Sequence, residues 1–163
     1  MPTLRPDHSE SEPEIHVALV PGPVEPHGDS PVGPDAGGGT CIFVGTTRPE
    51  RHPDHGELLE LEYDAAEPLA SRRLRNLARE IAESHHLRRL SIEHARGSVP
   101  VGRASVRIIA IADHRDPAFT ACREAIDRLK REIPIWKRER WRSGTTWSTA
   151  TSPLAESASE ETT

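Results

Sequence analysis

The chain has 163 residues and a mass of 18.0 kDa, which suits one domain of moderate size, and 34% hydrophobic with 4% aromatic residues predict a modest core. The formal net charge is −5, so most of the surface is not expected to bind nucleic acid. No apolar run approaches the ~20 residues of a membrane span, and the N-terminus lacks the apolar stretch of a signal peptide, so we expect a cytoplasmic protein.

The two ends of the chain differ in composition from the middle. Residues 1–14 are polar and contain proline, Gly22–Gly39 is dense in Gly and Pro, and 149–163 is rich in Ser, Thr and Glu. We therefore expect a disordered segment over 1–14, one folded domain over 15–148 and a disordered tail over 149–163. Ile15–Val20 is expected to form a strand.

Short strands and one helix are predicted in the middle of the chain. The predicted strands are Thr40–Val44, Leu59–Tyr63, Leu90–His94 and Ala104–Ala112, with a helix over Pro68–His85 and a turn over Gly97–Gly102. The mixture of elements predicts an α+β domain. Cys41 and Cys122 are expected to be small buried hydrophobic residues without a disulfide.

A second helix is predicted over Pro117–Glu132. Asp116 is a plausible N-cap, Pro117 suits the first helical position, and Pro134 cannot continue the helix. One face of this helix is apolar and is expected to pack on the core; its residues are Phe119, Cys122, Ala125, Ile126, Leu129 and Ile133.

Cations are concentrated around the end of this helix. Arg128–Arg142 contains seven Lys or Arg and two Glu, a local charge of +5 that leaves −10 for the rest. Lys130 lies beside the apolar face with Arg123 two turns earlier, so both side chains could instead extend over the core edge into solvent. Because His114 and Arg115 precede the helix N-terminus, where anions are favoured, the pattern predicts an anion site.

Two other kinds of site are disfavoured. Trp136 and Trp141 beside the cations could stack single-stranded nucleic acid, but Pro134-Ile135-Trp136 fits packing better. The pairs His52 with His55 and His85 with His86 have no further ligands at suitable spacing, so no metal site is predicted.

Three segments together are typical of one protein family: AFTACREAIDRLKREIPIWKRE (118–139), DHR (113–115) and FVGTTR (43–48). With weaker matches over 59–70 and 92–106, they resemble the large, catalytic subunit of molybdopterin synthase. They follow the order of the family from about residue 39 to 147. His94-Ala95-Arg96-Gly97 departs from the usual His-Arg pair by one residue, which moves the arginine to the opposite strand face. Arg103 stands where an acidic residue is usual.

The resemblance implies an α/β hammerhead-like fold with a small added β subdomain. The implied activity is sulfur transfer to cyclic pyranopterin monophosphate, which forms molybdopterin. No cofactor or metal is needed, because the sulfur comes as a C-terminal thiocarboxylate of a small ubiquitin-like subunit. The implied assembly is a homodimer of large subunits with a small subunit at each end. The alternative is a paralogue that binds the small subunit without turnover.

The resemblance also implies roles for particular residues. Lys137 is the expected main catalytic residue, as acid/base or electrostatic stabiliser, and Lys130 is the second. The expected substrate-binding residues are Arg48, Thr46, Thr47, His114, Arg115, Arg138, Glu139 and Phe43. From the residues alone, Arg48 could simply cap a loop and His114 could be an ordinary histidine at a strand end.

Overall fold

The structure is a computed structural model that describes residues 12–28 and 37–148. Its elements are β1 (Glu14–Pro21), β2 (Gly39–Thr46), β3 (Arg51–His52), β4 (Gly56–Ala65), α1 (Leu69–Ser84), β5 (Arg89–Pro100), β6 (Ala104–Ala112), α2 (Arg115–Glu132), β7 (Ile135–Trp141) and β8 (Gly144–Trp147). The predicted C-terminal tail and residues 1–11 of the predicted N-terminal segment lie outside the described residues.

The strands form two regions that share β5. The strand order is β2-β6-β5-β4-β7-β8, with β1 parallel to β5 and β3 paired with β4. The first part of β5 pairs with β1 and β6, whereas Gly97–Pro100 pairs with β4. Gly97 has a φ of 85°, which a residue with a side chain rarely adopts, and it lies where β5 changes partners. The predicted α+β class is confirmed.

The core lies between the two helices and the sheet. Alternate residues of β6 face the helices, as the period of a strand requires; they are Val106, Ile108, Ala110 and Ala112. Leu74 and Ile81 of α1 and Ile126 and Leu129 of α2 pack against them. This packing fixes the last turns of α2 beside the sheet.

The predicted helices are present with small differences at their ends. The N-cap of α2 is His114 rather than Asp116, because the helix begins two residues earlier than predicted. Asp116 instead occupies the first turn, where a carboxylate still interacts favourably with the helix dipole.

The apolar face of α2 is also rotated from the prediction at its start. Phe119 is 61% exposed, while the smaller Ala118, Ala121 and Cys122 face the core. The prediction for Cys122 is therefore confirmed, and Cys41 is only partly buried. Burial and the neighbouring Cys41 thiol raise the pKa of the Cys122 thiol to about 12.

The predicted turn over Gly97–Gly102 is wrong for its first four residues, Gly97–Pro100. The strand β5 continues to Pro100, because these residues pair with β4, and the turn is confined to Val101 and Gly102 before β6 begins.

Candidate functional site

A pocket of about 610 Å³ opens where the C-terminal end of α2 meets β2, β4 and β7. Its walls combine apolar residues such as Ile133 and Leu61 with charged and polar side chains in similar number. A concave site in which apolar walls surround convergent polar and charged groups is the usual form of a small-molecule site, and a high share of charged groups suits a charged ligand. The pocket is therefore the candidate functional site.

Both lysines of the chain line this pocket. The chain has 21 basic residues, of which two are lysines, Lys130 and Lys137. Lys130 lies on the last turn of α2 and is exposed at the pocket, and Lys137 is half-buried on β7. The chain leaves the helix at Ile133 and enters β7 at Ile135, so Pro134 joins the two walls.

The neighbouring arginines do not share this environment. Arg138 pairs with Glu62 at 2.9 Å, Arg140 with Glu60 at 3.0 Å and Arg142 with Glu57 at 2.6 Å. Strand residues alternate between faces, so Arg138 and Arg140 point away from the face that carries Lys137 and Glu139.

Arg128 is paired as well, with Glu80, Glu124 and Glu132 at 2.8–3.5 Å. Within residues 12–28 and 37–148, no carboxylate lies within ion-pair distance of Lys130 or Lys137. Much of the local positive charge is thus neutralised elsewhere, and two unpaired ammonium groups remain at the pocket.

Four of the expected substrate-binding residues also line the pocket: Phe43, Thr46, Arg48 and Glu139. The Arg48 side chain is 80% exposed and pairs with Glu50 at 3.2 Å, so it lies at the rim. Thr47 is buried and does not line the pocket; its hydroxyl donates to the Val99 carbonyl oxygen at 3.4 Å.

Three of the expected substrate-binding residues do not line the pocket of their own chain. Arg138 lies on the outer face, where its guanidinium is 5.3 Å from the Trp147 ring centre. His114 and Arg115 lie at the N-terminus of α2, so Lys130 is about 22 Å further along the helix axis. The cations predicted to converge therefore form two separate groups within one chain.

The pocket contains titratable residues that the sequence analysis did not include among the candidate site residues. His94 is 6% exposed, and its Nδ1–H donates to the Ala95 carbonyl oxygen at 2.7 Å. Burial lowers the pKa of His94 to about 4, and the hydrogen bond to Ala95 partly opposes this shift.

Tyr63 also lines the pocket, edge-on to His94 with ring centres 5.0 Å apart. Burial raises its pKa, and the Ser105 hydroxyl moderates that rise. In the sequence, Tyr63 and His94 lie on separate predicted strands, 31 residues apart, so nothing local indicates that they share a pocket.

The described part of the chain contains no group of three or more His, Cys, Asp or Glu that could hold a metal ion. His52 and His55 contact each other, with ring centres 4.5 Å apart, but they lack further ligands among these residues. No helix described here is long and apolar enough to cross a membrane.

Comparison with known proteins gives one consistent family. The family model described as "MoaE protein" matches residues 25–132. The chain is 43% identical over 112 residues to a molybdopterin synthase catalytic subunit of Oryza sativa subsp. indica, which covers 69% of this chain and 57% of that protein. The chain thus spans little more than half the length of that curated relative.

Two solved structures share the fold. The molybdopterin synthase structure from Staphylococcus aureus has a TM-score of 0.69 at 28% identity and covers 85% of this chain and 97% of that chain. A complex of subunits 1 and 2 of molybdopterin-converting factor from Helicobacter pylori 26695 has a TM-score of 0.62 at 18% identity, with 85% and 92% coverage.

Proposed function

We propose that this chain, which belongs to the MoaE protein family, is the catalytic subunit of a molybdopterin synthase. It would transfer sulfur to cyclic pyranopterin monophosphate and so form molybdopterin. The observation that carries the proposal is the pair of ammonium groups, Lys130 and Lys137, that line one pocket without a carboxylate partner among the described residues.

The charge of the pocket suits the proposed reactants. A cyclic phosphate and a thiocarboxylate are both anions, and attack on the pterin side chain develops further negative charge. Preorganised ammonium groups stabilise such charge most strongly where water is partly excluded, which is the environment of half-buried Lys137. Lys137 is therefore the proposed catalytic residue, and Lys130 at the pocket edge is proposed to bind the anionic groups.

The sulfur is proposed to come from a second protein. Neither cysteine lines the pocket, and the Cys122 thiol, with its pKa raised to about 12, is a poor source of thiolate. A small subunit with a C-terminal thiocarboxylate would supply the sulfur instead. The assembly named for the Helicobacter pylori neighbour, a complex of two kinds of subunit, supports such a partner. Free thiols suit a reducing compartment, so we expect the cytoplasm.

A homodimer of this chain is part of the proposal. His114 and Arg115 cannot reach the pocket of their own chain, because about 22 Å of helix separates them from Lys130. A role for these two residues in substrate binding therefore requires a second copy, whose helix N-terminus would meet the first copy's pocket.

Reconstitution tests the proposed activity. The purified chain is combined with a thiocarboxylated small subunit and the cyclic pterin, and molybdopterin is measured for wild type, Lys137→Ala and Lys130→Ala. We expect Lys137→Ala to lower product formation about 100-fold or more, the usual loss for one stabilising group in an active site. Arg140→Gln, which removes a cation outside the pocket, is the matched control.

Two results would contradict the proposal. Full activity in both lysine variants would exclude the pocket as the reaction site. A wild-type chain that binds the small subunit but forms no product would instead identify the non-catalytic paralogue.

A further inference from the structure

The carboxylate of Glu139 in the pocket wall is held by two successive hydrogen bonds within the β7–β8 hairpin. The Thr146 hydroxyl donates to Glu139 Oε2 at 2.9 Å, and the Trp141 Nε1–H donates to the same hydroxyl oxygen at 2.8 Å. Glu139 and Thr146 are directly paired across the two strands, so the backbone register sets the geometry of the first bond.

The direction of these bonds is fixed by the chemistry of the groups. An indole N–H can only donate, so the Thr146 oxygen must accept from Trp141. The single hydroxyl proton is then left for Glu139, whose carboxylate accepts it. The three groups therefore form a one-way chain that ends on Oε2 of Glu139.

The indole at the start of this chain is itself held in place. Trp141 is 6% exposed, and the His52 ring from the β3 turn lies against it with ring centres 5.3 Å apart. An indole packed in this way cannot easily turn its N–H elsewhere, so Thr146 keeps its orientation.

The position of Glu139 matters because Lys137 is its neighbour on the same strand face. Residues two apart on a strand are separated by about 7 Å, a distance that a Lys and a Glu side chain can close to form an ion pair. The two groups are not within ion-pair distance, and Glu139 is instead bonded to Thr146. Glu139 and Lys137 line the same pocket, so a Glu139 carboxylate released from Thr146 can approach the ammonium group that the proposed reaction needs.

We propose that Thr146, fixed by Trp141, is a positioning residue that holds the Glu139 carboxylate away from Lys137 and so keeps the Lys137 ammonium free for an anionic reactant. This inference rests on the proposed function. The substitution Thr146→Val removes the hydroxyl but keeps the shape of the side chain. Glu139 then pairs with Lys137, and kcat/KM for molybdopterin formation falls about tenfold, as for the loss of one hydrogen bond to a charged group.

Three further variants separate this role from a general effect on the fold. Thr146→Ser restores the hydroxyl and should restore activity. Thr146→Val should have no further effect in a Glu139→Gln background, because an uncharged amide does not form the ion pair. Thr145→Val is the matched control, since Thr145 is exposed on the same strand and pairs with Arg140.

A direct measurement on the lysines does not depend on turnover. The chain has two lysines, so a sample labelled with ¹³C at lysine Cε gives two side-chain resonances, which a Lys130→Arg variant assigns. Thr146→Val should shift the Lys137 resonance, and adding Glu139→Gln should reverse that shift. Thr146→Ala serves in the same way if the valine variant folds poorly.

The outcomes distinguish this inference from the proposed function. Wild-type activity in Thr146→Val, an equal loss in the Glu139→Gln background, or an unchanged Lys137 resonance would each overturn the positioning role. If the wild-type chain forms no product, the proposed function fails, and the lysine resonances alone decide whether Thr146 keeps Glu139 off Lys137.

Discussion

His94 should make the stability of this protein fall between pH 7 and pH 5. The side chain is almost fully buried, and its pKa is lowered from 6.5 to about 4 by desolvation. In the unfolded chain the imidazole is hydrated and takes up a proton near pH 6.5. The stabilising contribution of neutral His94 is therefore complete above the unfolded pKa and is lost as the pH falls towards the folded pKa.

The size of the effect follows from the two pKa values. Where the unfolded state binds one more proton than the folded state, the free energy of unfolding falls by about 1.4 kcal/mol for each pH unit. His94 alone should therefore lower the free energy of unfolding by about 2 kcal/mol between pH 7 and pH 5. That amount is a large part of the total stability of an ordinary domain. Glu124 and Glu132, whose pKa values are lowered by His85 and Arg128 respectively, add their losses at lower pH.

Urea unfolding at fixed protein concentration, followed by circular dichroism at pH 7 and pH 5, measures this loss. The comparison is with His94→Asn, whose amide N–H can still donate to the Ala95 carbonyl oxygen and which does not titrate. The variant is expected to be less stable at pH 7 but to lose about 2 kcal/mol less than wild type on going to pH 5. Equal losses in the two proteins would refute a neutral, buried His94.

Two other predictions concern the assembly and the outer face of the sheet. Coexpression of a Lys137→Ala chain with a His114→Ala chain should recover about one quarter of wild-type activity. Half of the dimers in a random mixture contain one chain of each kind, and one of the two pockets in such a dimer is intact. Activity no greater than that of the separate variants would exclude a pocket shared between two chains. Arg140→Gln breaks a partly exposed pair with Glu60 and should lower the free energy of unfolding by less than about 1 kcal/mol in urea titrations. A larger loss would mean that this pair is structurally essential.

The elements of the fold that are encoded locally could be predicted from the sequence. Ala104–Ala112 has the predicted bounds of β6, because its β-branched run is bounded by Gly102 and by the polar Asp113. The end of α2 was likewise fixed by Pro134. The start of α2 was not, because Asp116 and Pro117 are acceptable both at a helix start and within the first turn.

Counting the charges of Arg128–Arg142 along the sequence does not show which of the cations are paired with carboxylates. The carboxylates that pair with Arg138 and Arg140 belong to β4, about 80 residues earlier in the chain, and become neighbours only through the β4–β7 pairing. A local charge of +5 therefore combined paired cations of the outer face with unpaired cations of the pocket. The hydrogen bonds from Trp141 to Thr146 and from Thr146 to Glu139 could not be predicted for the same reason, since only the β7–β8 register brings Thr146 to Glu139.

The end of the helix between Lys130 and Lys137 determines where the two side chains lie. On one uninterrupted helix, residues 130 and 137 would lie on one face about 10.5 Å apart along the axis, and both would point at the same neighbour. Pro134 ends the helix, and Ile133 and Ile135 anchor the chain against the core on either side of it. Lys137 therefore continues on a strand that faces the helix end across a pocket. On a helix, a seven-residue separation would put the two lysines on one face. Here it puts them on two walls of one pocket, between which the proposed anionic reactants would bind.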